Sequence, residues 1–144
     1  MSTNTIIWAT DGSEHADRAL QHAQGLGVVN GATVTAVHSE EYLLGPRTMG
    51  EMPLNVDEDE IKAKLKQQVE DLNSAGVTAQ LRVVQPGAPG TAHAIADVAD
   101  ELDAELIILG TRGRSPLTGL LLGSVTQRLL HLAHCPVLAV PPAE

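Results

Sequence analysis

Phenylalanine is absent from this 144-residue chain, and Trp8 and Tyr42 are its only other large aromatic residues. A flavodoxin-like site, which usually sandwiches its flavin between aromatic rings, is a poor fit to that composition. The single cysteine, Cys135, rules out an internal disulfide. No apolar run is long enough to span a bilayer and no N-terminal h-region is present, so a soluble, cytoplasmic protein without membrane contact is expected. Basic residues are scarce as well: 9 Lys and Arg face 18 Asp and Glu, for a formal net charge of -9. A diffuse nucleic-acid surface needs a broad basic face that neutralises many phosphates, and this chain does not supply one. No GK[ST] follows a glycine run, which removes a Walker loop, and the first turn lacks G-x-G-x-x-G, which removes a Rossmann dehydrogenase. A receiver domain wants clustered acids after the first strand and a lysine after the last strand. Here Asp11 has no adjacent acid, and PVLAVPP has no lysine.

What is present is apolar content of 43%, sufficient for one domain with a proper core. Five short apolar runs alternate with four helical patterns in the order βαβαβαβαβ, the signature of an open parallel sheet with helices on both faces. The runs are TIIWAT, TVTAVHS, AQLRVVQ, ELIIL and PVLAV. The first helix carries Ala16, Ala19, Leu20, Ala23 and Leu26 on one stripe and is expected to end near Gly25 and Gly31. The second carries Ile61, Leu65, Val69 and Leu72 and stops at Gly76. Thr91 is the expected cap of the third, whose buried face is Ile95, Val98, Ala99 and Leu102. The fourth buries Val125, Leu129, Leu132 and Ala133. Residues 40–56 have no sustained period, and Tyr42, Met49 and Met52 there stand equally as a ligand cover or as solvated loop.

The most informative stretch is GTRGRSPLTGLLLGS, from Gly110 to Ser124, placed after the strand ELIIL and before the helix SVTQRLL. The first amides of a helix have no internal partner and sum to a partial positive charge, so a phosphate can be held there by backbone alone. Gly110, Gly113 and Gly123 lack a Cβ that would obstruct a ligand, and they are expected to reach positive φ. Ser124 and Gln127 read as a capping box. No Asp or Glu occurs between Leu106 and Ala143, whereas Arg112, Arg114 and Arg128 do. The competing reading of GTRGRS is a flexible connection with solvated arginines.

In an open parallel sheet, ligands bind beyond the carboxyl ends of the strands where the strand order reverses. Asp11 at the end of the first strand, Val37, His38 and Ser39 at the end of the second and Gly110 at the end of the fourth all face that crevice. A carboxylate accepts hydroxyl hydrogen bonds and repels phosphate, so ribose belongs near Asp11 and phosphates near Gly113, Gly123 and Ser124. Asp11 with Glu14 reads equally well as a helix cap.

With ATDGSE at the first turn and G-x-x-G-x9-G-S over Gly110, Gly113, Gly123 and Ser124, the chain resembles the universal stress proteins over nearly its whole length, 1–144, as one domain. The fold this resemblance implies is Rossmann-like, of the adenine nucleotide alpha hydrolase type, with strand order 3-2-1-4-5. It implies an ATP-binding member in which Asp11 contacts ribose, the backbone at Val37, His38 or Ser39 holds adenine, and Gly110 lines ribose and phosphates. Gly113, Gly123, Ser124 and Val125 match positions that wrap the triphosphate, Arg112 and Arg114 occupy variable loop positions, and Ala9, Thr10 and Leu109 flank the same crevice. Whether Mg2+ accompanies ATP is left open. Ala9 stands where proline or valine is frequent, and QPGAPGTAHAI carries extra residues around its G-x-P.

The resemblance also implies a homodimer through the last strand, Pro136 to Val140. Independently, PVLAV is an apolar, uncharged edge that tends to acquire a partner, although a helix or tail would serve too. No catalytic residue is assigned. His131, His134 and Cys135 have a ligand-like spacing, but C-terminal helix histidines explain them better than zinc. With no water-positioning carboxylate beside the phosphates, ATP hydrolysis is expected to be slow and incidental. The function expected is that of a nucleotide-dependent stress-response regulator. The alternative is a partner-binding dimer that takes cyclic AMP or AMP, or no nucleotide.

Overall fold

Each apolar run becomes a strand: β1 (Thr5–Ala9), β2 (Thr33–Ser39), β3 (Ala79–Val84), β4 (Leu106–Gly110) and β5 (Val137–Val140). Between them lie α1 (Glu14–Asn30), α2 (Glu58–Ser74), α3 (Thr91–Glu101) and α4 (Ser124–Leu132). The computed structural model describes residues 4–40, 58–112 and 122–142. Its sheet is parallel throughout, with the order β3-β2-β1-β4-β5 that the family resemblance implies. The central strand β1 pairs Trp8 with Ala36 on one side and with Ile108 on the other.

Covering both faces leaves the middle strands without a wet side, so their apolar residues run nearly without interruption. Ile6, Ile7 and Trp8 are all 0% exposed. Alternation then sorts them. Ile6 and Trp8 join Ala19, Ala23, Leu65 and Leu72 under α1 and α2. Ile7 and Ala9 join Ile95, Val98, Ala99 and Leu129 under α3 and α4. Trp8, the largest buried side chain, donates its indole N–H to the Ala16 carbonyl at 2.9 Å, which removes the penalty of an unpaired polar group inside. Among the described residues, no helix is long and apolar enough to cross a membrane.

Two helix ends differ from expectation, and the end of α1 matches one of its two expected glycines. α1 runs through Gly25 and Gly27 and ends only at Gly31, whose φ of 67° and N–H bond to the Gly27 carbonyl close it. Gly27 has a packing reason: a Cβ there would stand 2.9 Å from Val77 Cγ1. α3 is capped not by Thr91 but by Gly90 at φ 103°, and Thr91 is its first helical residue. The Thr91 hydroxyl is 3.2 Å from Ser39 Oγ. The run SVTQRLLHLAHC predicts a helix as far as Cys135, but α4 ends at Leu132.

Candidate functional site

The strand order reverses at β1, because β2 and β3 lie on one side of it and β4 and β5 on the other. The crevice is therefore walled by the turn after β1, the end of β2 and the exit of β4.

The turn after β1 is tightly built. Thr10 Oγ1 accepts the Gly12 N–H, Asp11 Oδ1 accepts the Ser13 N–H and Ser13 Oγ accepts the Ala16 N–H, at 3.0, 3.0 and 3.2 Å. The α1 cap is thus Ser13, and the reading of Asp11 as that cap is corrected. Asp11 forms an Asx turn one step earlier, which ties its half-buried carboxylate to the turn that borders the crevice. Gly12 carries the positive φ, 83°, and a Cβ there would lie 3.1 Å from Ile61 Cγ2. α2 closes over this turn: Lys64 donates to the Gly12 carbonyl at 2.9 Å and to Asp17 at 2.8 Å.

At the end of β2 the three candidate residues separate. Alternate residues of a strand direct their backbone groups to opposite neighbours. Thr33 and Val37 bond towards β1, through Thr33 N–H to Asn4 O and Thr10 N–H to Val37 O, while Val34 and Glu40 bond towards β3. The Val37 carbonyl is therefore occupied, and its side chain is core. The His38 peptide belongs to the β3 side, and its imidazole is fully buried between the Thr10 carbonyl and Glu58. Ser39 falls in the phase that faces β1, one step past the last register pair of β1 with β2, Ala9 with Val37. The groups of β1 that would continue the ladder are engaged, the Thr10 carbonyl by His38 Nδ1 and the Gly12 N–H by Thr10 Oγ1, each at 3.0 Å, and among the described residues the Ser39 N–H makes no backbone bond to the Thr10 carbonyl.

The exit of β4 departs from the sequence reading. Gly110 is not a positive-φ residue; a Cβ on it would meet the His15 carbonyl oxygen at 3.0 Å and the Arg112 carbonyl oxygen at 3.2 Å. Glycine is thus needed there so that the first turn of α1 can press on β4. Gly123 is extended as well, at φ -72° and ψ 165°, and serves as the α4 N-cap with no side-chain cap bond. The Ser124–Gln127 capping box does not form. Tertiary bonds fix the helix start one residue earlier: Gly123 N–H donates to Thr111 O at 2.6 Å, and Thr126 Oγ1 donates to Gly110 O at 3.0 Å. Ser124, now the first helical residue, is exposed, and the first turn of α4 holds no acid. Leu109 and Val125 pack in the core beside this exit, Thr10 is buried and Arg112 is half-buried. Gly113 and Arg114, like Tyr42, Met49 and Met52, lie outside the described residues.

Sequence reasoning missed two partnerships. Glu58, the first residue of α2, meets His38 at 2.7 Å, and Asp100 meets His134 at 3.0 Å. Their separations of 20 and 34 residues leave no periodic trace. Among the described residues no group of three or more His, Cys, Asp and Glu forms a metal site. Burial first, and the charge of Asp100 second, hold the Cys135 thiol above its ordinary value.

Comparison with known proteins agrees with this architecture. The profile of the universal stress protein family matches residues 2–141. A universal stress protein of Thermus aquaticus is 36% identical over 140 residues, covering 94% of this chain and 97% of that one. One from Methanocaldococcus jannaschii is 32% identical over 139 residues, covering 94% and 80%. Among solved structures, a universal stress protein from Archaeoglobus fulgidus in complex with dAMP superposes with a TM-score of 0.68 at 27% identity, covering 96% and 98%. Matched by the family profile over nearly its whole length, and with this strand order and a last helix that begins at Gly123, the chain belongs to the universal stress protein family.

Proposed function

We propose that this protein binds ATP in the crevice between β1 and β4 and acts as a nucleotide-dependent regulatory or stress-response protein, with at most slow incidental hydrolysis. The observation that carries this reading is the start of α4, a helix end with neither a side-chain cap nor an acid in its first turn. Its first amides and dipole favour an anion, and Arg112 stands at the β4 exit. Ser39 offers one peptide donor and one acceptor at the other wall, the pattern that matches the adenine N1 and N6 edge. Asp11 between them suits ribose hydroxyls. The likeness to a relative solved with dAMP supports an adenine nucleotide. In this reading Gly113, Ser124 and Val125 hold the phosphates with Arg112 and Arg114, Gly123, whose own N–H is on the Thr111 carbonyl, leaves them room by lacking a side chain, and Ala9, Thr10, Leu109 and Gly110 shape the walls. Any Mg2+ arrives with the nucleotide.

Mass spectrometry of denatured, freshly purified protein tests the proposal: ATP is released from the wild type and is absent from Gly123→Val, whose circular dichroism stays helical. Equal nucleotide in both would remove the site. Release of AMP or cyclic AMP instead would favour the second reading, a partner-binding dimer that senses a monophosphate, to which the dAMP-bound relative lends weight. Dimerisation through Pro136 to Val140 is part of either reading. β5 is an edge strand, and its Leu138 and the α4 residue Leu130 are 38% and 52% exposed.

A further inference from the structure

On the α1 and α2 side of β2, Val34 and Ala36 are apolar, yet the next residue in the same phase is His38, 0% exposed. Its Nδ1 lies 3.0 Å from the Thr10 carbonyl, and its Nε2 lies 2.7 Å from Glu58 Oε1, itself buried. A carbonyl only accepts, so Nδ1 carries a proton, and Nε2 and Glu58 share one more, as an ion pair or as a neutral pair. Replacing such a buried pair by well-packed apolar residues is often neutral or stabilising. Stability alone is thus a weak reason for its presence.

Its position supplies a better one. The Thr10 carbonyl that His38 occupies is the acceptor to which the Ser39 N–H would donate if the parallel ladder advanced one more step. We infer that His38 and Glu58 are positioning residues that end the β1–β2 ladder at Val37 and so keep the Ser39 peptide turned outward to read the adenine edge. The inference rests on the nucleotide reading above and deepens it, because it names what sets base selectivity. Guanine carries an acceptor where adenine has the N6 donor, and a donor where adenine has the N1 acceptor. A peptide held in one orientation rejects it, whereas a Ser39 peptide bonded to β1 reads neither base. Glu58 acts through the ring: it holds Nε2, which keeps the protonated Nδ1 on Thr10.

The test compares ATP and GTP binding by calorimetry in the wild type, His38→Leu, Glu58→Leu and Glu58→Gln. In wild type ATP is preferred. In His38→Leu and Glu58→Leu the ratio of the two affinities falls about tenfold, the scale of one or two lost hydrogen bonds. Glu58→Gln, whose amide can donate to Nε2, retains the preference. Equal losses for ATP and GTP in folded His38→Leu would mark a mere structural tie and overturn the inference, as would an unchanged ratio. Amide hydrogen exchange on the wild type decides the matter even if the variants do not fold. The Ser39 N–H exchanges quickly in nucleotide-free protein and slows when ATP is added; a Ser39 amide already slow without nucleotide overturns the positioning role. A wild type that binds neither nucleotide overturns the proposed function itself, and this inference with it. A wild type that prefers ATP while the variants keep that preference overturns only the inference.

Discussion

Two helices start at the carboxyl edge of the sheet on either side of β4, and they start in opposite ways. α1 is closed by its own residues: Ser13 caps it, an Asx turn from Asp11 braces the cap, and Glu14 and Asp17 stand in the first turn. Its dipole already has its negative charge. α4 begins at a glycine without a side-chain cap, with no acid in its first turn, although the Gly123 backbone is anchored on Thr111. The fold secures the position of that second start without satisfying its charge. This difference is what points to α4, rather than α1, as the end that receives an anion, and it is open to several direct challenges.

Gly110→Val strikes where the two starts lean on the same strand. Its Cβ would meet two backbone carbonyl oxygens, which cannot rotate away, so a loss of about 1–3 kcal/mol is expected in urea unfolding. An unchanged midpoint would show that α1 does not press on β4. Ser13→Ala removes the α1 cap and should cost about 1 kcal/mol, while nucleotide content stays as in the wild type. Loss of nucleotide there would make α1 part of the anion site. Gly123→Asp turns the start of α4 into one resembling α1. It should raise stability by a few tenths of a kcal/mol, yet empty the site, because the carboxylate takes the anion's place. Retained ATP in that variant would erase the contrast between the helices.

The smallest effect is expected past the other end of α4. The Cys135 thiol is raised by burial and then by Asp100, so the fold favours its neutral form. The sign follows from linkage: this contribution to stability is complete below the ordinary thiol value and is lost as pH rises through the raised one. Asp100→Asn should therefore speed iodoacetamide labelling of Cys135 at mildly alkaline pH. An unchanged rate would leave burial as the whole cause.

The comparison of the two helices also shows which parts of the site are legible in a sequence. The Thr10 to Glu14 turn could be read because its bonds join residues two or three apart, although the cap proved to be Ser13. At α4 the same kind of reading failed. S-x-x-Q is a local signal, and it was overruled by bonds from Gly123 to Thr111 and from Thr126 to Gly110, which join residues far apart in the chain. Gly110 was rightly singled out but for another reason, since a close approach by α1 belongs to packing and leaves no mark in local spacing. The His38 to Glu58 pair was invisible because its members come from separate elements.

By itself the sequence determined the parallel sheet, the stripe each helix buries and the family, because these follow from short-range periodicity and motif spacing that every folded copy must satisfy. Only the tertiary structure decided which peptide of β2 faces the crevice and which residue begins α4. Both depend on a few hydrogen bonds between distant segments, and a strand shifted by one residue, or a helix begun one residue later, would present other groups to the same ligand.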